Sequence, residues 1–250
     1  MGDLRSVFVD SMTGAPSALE AADRLCRACV DLLGVDGASI SVADGFTTQG
    51  TFGSSGALSR RLDEYQFTFG EGPCLDAMRS GVPVLASDLS AFEEARWPAF
   101  RDAVLGAGIS AVFALPVGSG RPFGALDLFN KRRGPLTESE LDGGLLAAEL
   151  AALPLLEMMG ATREMADSAE GERGWDQLAS LERVEVYQAT GMIIAALNVS
   201  ADDALIRLRA YAYARGMTAN DVAWQVLDRT VDLNDDGWGG AGREGDDDGG

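Results

Sequence analysis

The hydropathy pattern predicts an α+β protein, an antiparallel sheet with packed helices, followed by a small three-helix module. Three observations carry this reading. Short apolar runs in the first 130 residues follow one another across turn dipeptides, as hairpin strands do. Segments with helical periodicity flank those runs. After a polar, glycine-bounded stretch, every remaining apolar segment has a helical period.

The elements follow in order. Ser17 and Glu20 have capping-box spacing, and Leu19, Ala22, Cys26, Cys29, Val30 and Leu33 then recur at helical intervals until Gly34. Ala38–Ala43 and Phe46–Phe52 are strands around Asp44-Gly45, a hairpin dipeptide. Ser55–Tyr65 is an amphipathic helix. Phe67–Leu75 is a glycine-broken loop that runs into a short helix, Cys74–Arg79. Val82–Ala86 is a third strand, and Glu93–Leu105 a helix with Trp97 and Phe100 on one side. Ile109–Val117 and Phe123–Phe129 form a strongly apolar strand pair across the turn Gly118–Pro122.

Thr137 and Glu140 repeat the capping-box spacing ahead of a helical stretch reaching about residue 172. Gly143-Gly144, Pro154 and Gly160 argue against one straight rod. Its Leu145, Leu146, Leu150, Leu153, Leu156 and Met159 suit a packed connector or a dimer seam. Ala166–Gly174 is the linker candidate. Three helices come next: Asp176–Leu197, Ala201–Arg215 with Ser200 as N-cap, and Ala219–Leu233 with Thr218 as N-cap. The resulting division is an N-terminal segment 1–17, a first domain 18–160, a helical connector 161–176, a helical domain 177–233 and a tail 234–250. The tail, NDDGWGGAGREGDDDGG, reads as disordered and acidic, with Trp238 in solvent.

Composition excludes several kinds of chemistry. The 250 residues contain no histidine, which rules out Ser-His-Asp and Cys-His catalysis and His-ligated zinc. Lys131 is the single lysine. Net charge is −19, so an attraction to phosphate must come from a local patch and not from the overall field. Cys26, Cys29 and Cys74 form no disulfide-like framework and suggest a reducing compartment. The N-terminus lacks a basic stretch followed by an apolar one, and no run of about 18 apolar residues appears. A cytoplasmic protein without membrane contact, metal, cofactor or catalytic residues is expected.

Two sets of motifs carry family resemblances. Gly70-Glu71-Gly72-Pro73-Cys74-Leu75-Asp76-Ala77, Val112-Phe113-Ala114-Leu115-Pro116-Val117 and Gly124-Ala125-Leu126-Asp127-Leu128 make the first domain resemble a GAF sensory domain of the actinobacterial type. Arg183, Gln188-Ala189-Thr190-Gly191, Asp203-Ala204, Leu208-Arg209, Ala212 and Asp221-Val222-Ala223 make the helical domain similar to an ANTAR module. Thr190 stands where that family usually has lysine. The resemblance implies an antitermination regulator that binds paired RNA hairpins beside a terminator, as a homodimer, in response to a small-molecule or redox signal at the GAF domain.

The residues themselves allow such a role. Arg207, Arg209, Tyr213 and Arg215 on the second helix, with Arg183, Gln188 and Thr190 on the first, are the candidate RNA contacts. Guanidinium groups pair with phosphate, and aromatic planes stack on unpaired bases. Tyr187 and Tyr211 are read as core, and Gly191 as the site of a close helix crossing. In the first domain Trp97, Phe100, Phe113, Leu115 and Asp127 are candidates to line a ligand pocket, the apolar four being equally able to fill it. Cys26 and Cys29 are read as buried. Cys74, at a helix N-terminus that lowers a thiol pKa, is the candidate reactive thiol. The other reading is a signalling dimer whose C-terminal helices bind a protein partner; a DNA reader is disfavoured by the acidic third helix.

Overall fold

The structure is a computed structural model and describes residues 2–44, 47–91, 95–118, 120, 122–165, 183–233 and 238. The chain divides into two units, Met1–Arg183 and Val184–Gly250.

The first unit is built from α1 (Gly2–Met12), α2 (Ala18–Leu33), β1 (Gly37–Asp44), β2 (Thr47–Ser54), α3 (Ala57–Phe69), α4 (Pro73–Ser80), β3 (Val84–Ala86), α5 (Pro98–Gly106), β4 (Ala111–Val117), β5 (Gly124–Asn130) and α6 (Glu138–Met165). The sheet order is β2-β1-β5-β4-β3, and every neighbouring pair is antiparallel. The α+β expectation therefore holds. Strands β1 and β5, far apart in sequence, lie side by side at the centre, with Ser39 opposite Asp127. Side chains alternate across a strand. Ile40, Phe113, Leu115, Leu126 and Leu128 enter one core with Phe8 of α1, Leu25, Cys26 and Cys29 of α2, and Leu150 and Leu155 of α6. Val112 and Phe129 enter the other with Leu62 of α3 and Trp97, Phe100 and Val104 beside and within α5.

Several boundaries move for identifiable reasons. Helix α1 lies in the expected N-terminal segment, where no cap signal marks it; buried Phe8 anchors it, and Arg5 pairs with Glu149 at 3.1 Å. Helix α3 continues through Phe67-Thr68-Phe69, read as loop, because burial of Gln66, Phe67 and Thr68 outweighs a poor local propensity. It stops at Gly70, whose φ of +65° ends the helix in the left-handed region. Helix α5 starts at Pro98, since proline favours the first helical position, and the expected start, Glu93, lies outside the described residues. Helix α6 passes through Gly143-Gly144 and Pro154. Both glycines are places of close approach: a Cβ there would meet Leu33 at 2.4 Å or Leu115 at 2.8 Å. The expected linker, 166–174, lies outside the described residues.

The second unit contains α7 (Val184–Leu197), α8 (Ala201–Ala214) and α9 (Ala219–Leu227). The expected start of the first of these, Asp176, falls outside the described residues. The caps are those the sequence signals: Asp203 N–H donates to Ser200 Oγ at 3.1 Å, and Thr218 and Asp221 form a reciprocal capping box. Val186, Ala189, Ile193, Ala204, Leu208, Ala212, Val222, Ala223 and Val226 make its core. Small alanines let the helices pack closely. Helix α9 ends at Leu227 and does not reach Leu233; Arg229 has already turned to a φ of +56°.

Trp238 corrects the expectation of a solvent-exposed tail residue. It is 2% exposed and stacks on Tyr211, so a single large apolar group has found the helical core. The rest of the tail lies outside the described residues.

Candidate functional site

Between the sheet and helices α3 and α4 lies a buried polar layer. Ser41 and Thr51 come from β1 and β2, Asp63 and Gln66 from α3, and Asp127 from β5. Asp63 is fully buried. Its Oδ1 accepts from Ser41 Oγ at 2.5 Å, and its Oδ2 accepts from Thr51 Oγ1 at 2.5 Å and from Arg183 Nη2 at 2.8 Å. The Arg183 guanidinium lies over the Phe67 ring, 4.2 Å from its centroid. Gln66 bridges the layer: its Nε2 donates to Asp127 Oδ2 at 2.7 Å, and its Oε1 accepts from Cys74 N–H at 2.8 Å.

Asp127 is fully buried, and burial, aided by the charge of Asp63 and opposed by the Gln66 hydrogen bond, pushes its pKa from 3.8 up to about 8. A neutral carboxyl at pH 7 follows. Its second oxygen, Oδ1, has no hydrogen-bond partner among the described residues, and neither has Ser39 Oγ, whose residue is its cross-strand neighbour.

The other predicted pocket residues are not gathered here. Trp97 and Phe100 fill the core under α5, and Phe113 and Leu115 fill the core on the opposite face of the sheet. Of the five, Asp127 alone belongs to the polar layer. Glu71 and Asp76, conspicuous in the motif, serve as structural acceptors. Glu71 Oε1 takes the N–H groups of Ala99 and Phe100 at 2.7 and 2.9 Å, capping α5, and Asp76 Oδ2 takes the Trp97 indole N–H at 3.0 Å.

Cys74 is also corrected. It stands near the start of α4, but it is fully buried, and burial, with Asp127 and Asp63 nearby, pushes its thiol well above the ordinary value. Loss of hydration outweighs the helix terminus, so the thiolate is scarce. Cys26 and Cys29 are buried, as read from the sequence. No group of three or more His, Cys, Asp or Glu side chains among the described residues is arranged to hold a metal ion.

On the helical module the candidate RNA contacts separate. Gln188, Tyr213 and Arg215 are exposed, and Arg207 and Arg209 are half-buried. Arg215 lies over the Tyr211 ring at 3.5 Å, and Arg207 Nη1 donates to the Trp238 carbonyl at 2.5 Å. Two candidates are corrected. Thr190 is buried, and its Oγ1 donates to Val186 O at 2.7 Å, one turn back. Arg183 is 4% exposed and belongs to the first unit, held by a carboxylate that sequence separation concealed. Tyr211 is core, as expected, but Tyr187 is 51% exposed. Sequence reasoning also missed Trp224, 56% exposed on α9. The exposed face of α7 includes Tyr187, Gln188 and Gly191, since residues three and four apart are neighbours on a helix. A Cβ on Gly191 would meet nothing within 4 Å, which removes the expected helix crossing.

No single helix among the described residues is long and apolar enough to cross a membrane. No curated protein matches the sequence. Solved structures show the fold of the first unit. The GAF domain of an Acinetobacter phosphoenolpyruvate-protein phosphotransferase is similar with a TM-score of 0.51 at 15% identity, over 64% of this chain and 96% of that one. The GAF domain of a phosphoenolpyruvate-protein phosphotransferase from Coxiella burnetii is similar with a TM-score of 0.51 at 16% identity, over 64% and 95%. A GAF domain profile matches residues 16–153, and an ANTAR domain profile matches residues 177–227. The chain therefore belongs to the GAF domain family and carries an ANTAR domain behind its GAF domain, which is the architecture of a sensor joined to a regulatory output.

Proposed function

We propose that the protein is a non-catalytic, cytoplasmic regulator that binds leader RNA hairpins near terminators and promotes antitermination, its GAF domain sensing a small-molecule or redox signal. The observation that supports this most directly is the exposed set Gln188, Tyr213 and Arg215 on α7 and α8, joined by Tyr187 and Trp224. Exposed aromatic rings and guanidinium groups are what unpaired bases and phosphates engage. One protomer offers few cations, so a homodimer presenting two such faces is part of the reading. The exposed Leu145, Leu153 and Leu156 of α6 support a seam between copies.

Filter binding of the full chain to a two-hairpin leader RNA, at several salt concentrations, tests this. Salt-sensitive binding is expected. Its absence, both with the protein alone and with cell-extract metabolites added, overturns it. Ile206, 62% exposed on α8, favours the second reading, a protein partner. A partner retained after nuclease treatment, with no RNA bound, would establish that reading instead.

A further inference from the structure

The polar layer of the GAF domain already holds a guanidinium group. Both oxygens of Asp63 are set in place by hydroxyls of the sheet, Ser41 on one and Thr51 on the other, which leaves Oδ2 to receive Arg183 Nη2 at 2.8 Å. Phe67, one turn along α3, covers the guanidinium face at 4.2 Å. A carboxylate on the edge and an aromatic ring on the face are contacts that a planar guanidinium makes together, whereas a tetraalkylammonium has neither a flat face nor an N–H to give the carboxylate.

The receiving residues all come from β1, β2 and α3. The cation comes from elsewhere: the chain leaves α6 at Met165, and Arg183 is the residue directly before α7. Asp127, joined to Asp63's helix through Gln66, adds a buried oxygen with no partner among the described residues. The acceptors thus lie on the sheet and α3, and the donor lies 120 positions further along the chain.

We propose that Asp63, Phe67 and their hydroxyl collar form a binding site for a small guanidinium or amidinium cation, and that Arg183 is its tethered occupant. A tethered group competes at a local concentration on the order of millimolar. A free cation therefore enters the unmodified protein only at higher concentration, and enters readily once Arg183 is removed. The site is independent of whether the C-terminal module binds RNA, because its readout lies in the GAF domain.

The test uses the full chain with Arg183→Gly, methylguanidinium as probe and tetramethylammonium as the control cation. The variant is expected to melt below the unmodified protein, and methylguanidinium at millimolar concentration is expected to raise its midpoint saturably. Tetramethylammonium is expected not to do so. The unmodified protein is expected to need at least about tenfold more probe for the same rise, and Arg183→Gly combined with Asp63→Asn to give none. No guanidinium-specific rise in Arg183→Gly, or an equal rise in the double variant, overturns the proposal. If Arg183→Gly does not fold unaided, recovery on refolding with methylguanidinium but not with tetramethylammonium supports the site, and no recovery with either overturns it.

Discussion

Trp238 lies flat against Tyr211, ring centroids 4.4 Å apart and planes 16° from parallel. A residue beyond the last helix thus completes the core of the ANTAR module, and its carbonyl also receives Arg207. Trp238→Ala leaves a cavity beside Tyr211. Large-to-small changes of this kind cost about 3 kcal/mol. Denaturant unfolding followed by far-UV circular dichroism should show the helical transition displaced by that amount. An unchanged midpoint would mean that the stack contributes nothing.

Gly191 sits inside α7 with open space where a side chain would be. Gly191→Ala should therefore stabilise the module by about 1 kcal/mol. If RNA passes over this face of α7, the same variant binds RNA more weakly while melting higher. Opposite signs in the two measurements would locate the RNA on Tyr187 and Gln188, and a gain in both would place it elsewhere.

Asp127 makes stability depend on pH in a defined direction. The folded carboxyl keeps its proton up to about pH 8, whereas the unfolded one loses it near 3.8. Between these values the unfolded state binds fewer protons, so stability falls as pH rises. Above pH 8 both states are ionised and the slope ends. Asp127→Asn, which keeps an acceptor for Gln66, should flatten the fall in melting midpoint between pH 5 and pH 8. A variant with the unmodified slope would show that Asp127 is not its source.

The three thiols should be inert in the native protein. Burial pushes Cys29 up to about 12, and Cys26 and Cys74 well above their ordinary value. A rise of three pKa units depletes the thiolate about 10³-fold. Reaction with a chromogenic disulfide reagent should be far slower than in denaturant for all three, and for Cys29 by about that factor. Fast modification in the native state, located on Cys74 by peptide mass mapping, would restore it as the reactive thiol.

The RNA reading gives Thr190 and the α8 arginines different roles. Arg209→Ala and Arg215→Ala should each lower the salt dependence of RNA binding by about one counterion. Thr190→Ala should leave that slope alone and lower the melting temperature, because Thr190 points inward and bonds to Val186. Loss of the slope in Thr190→Ala would restore it as a contact.

Much of this was open to a reader of the sequence. Periodicity and capping residues are local, and local interactions form them. Hence Ser17 with Glu20, Ser200 with Asp203 and Thr218 with Asp221 marked helix starts that the structure keeps. Strand alternation and the motifs around Cys74 and Asp127 led to the GAF architecture, and helix count and spacing to the ANTAR module. Where local preference and burial disagree, as in Phe67-Thr68-Phe69, burial prevails, and the reading of a loop there fails.

The contacts that assemble the polar layer join distant parts of the chain. Ser39 meets Asp127 because β1 pairs with β5, and Asp63 meets Arg183 across 120 positions. No pattern of spacing contains that information. Which arginine is a surface cation and which a buried partner, and which tyrosine is core and which exposed, depends on the carboxylates and rings that folding brings near. Composition and periodicity thus settle what elements this chain makes, whereas long-range pairing assigns each charged side chain its role, because a charge takes its energy from its neighbours and not from its place in the order of residues.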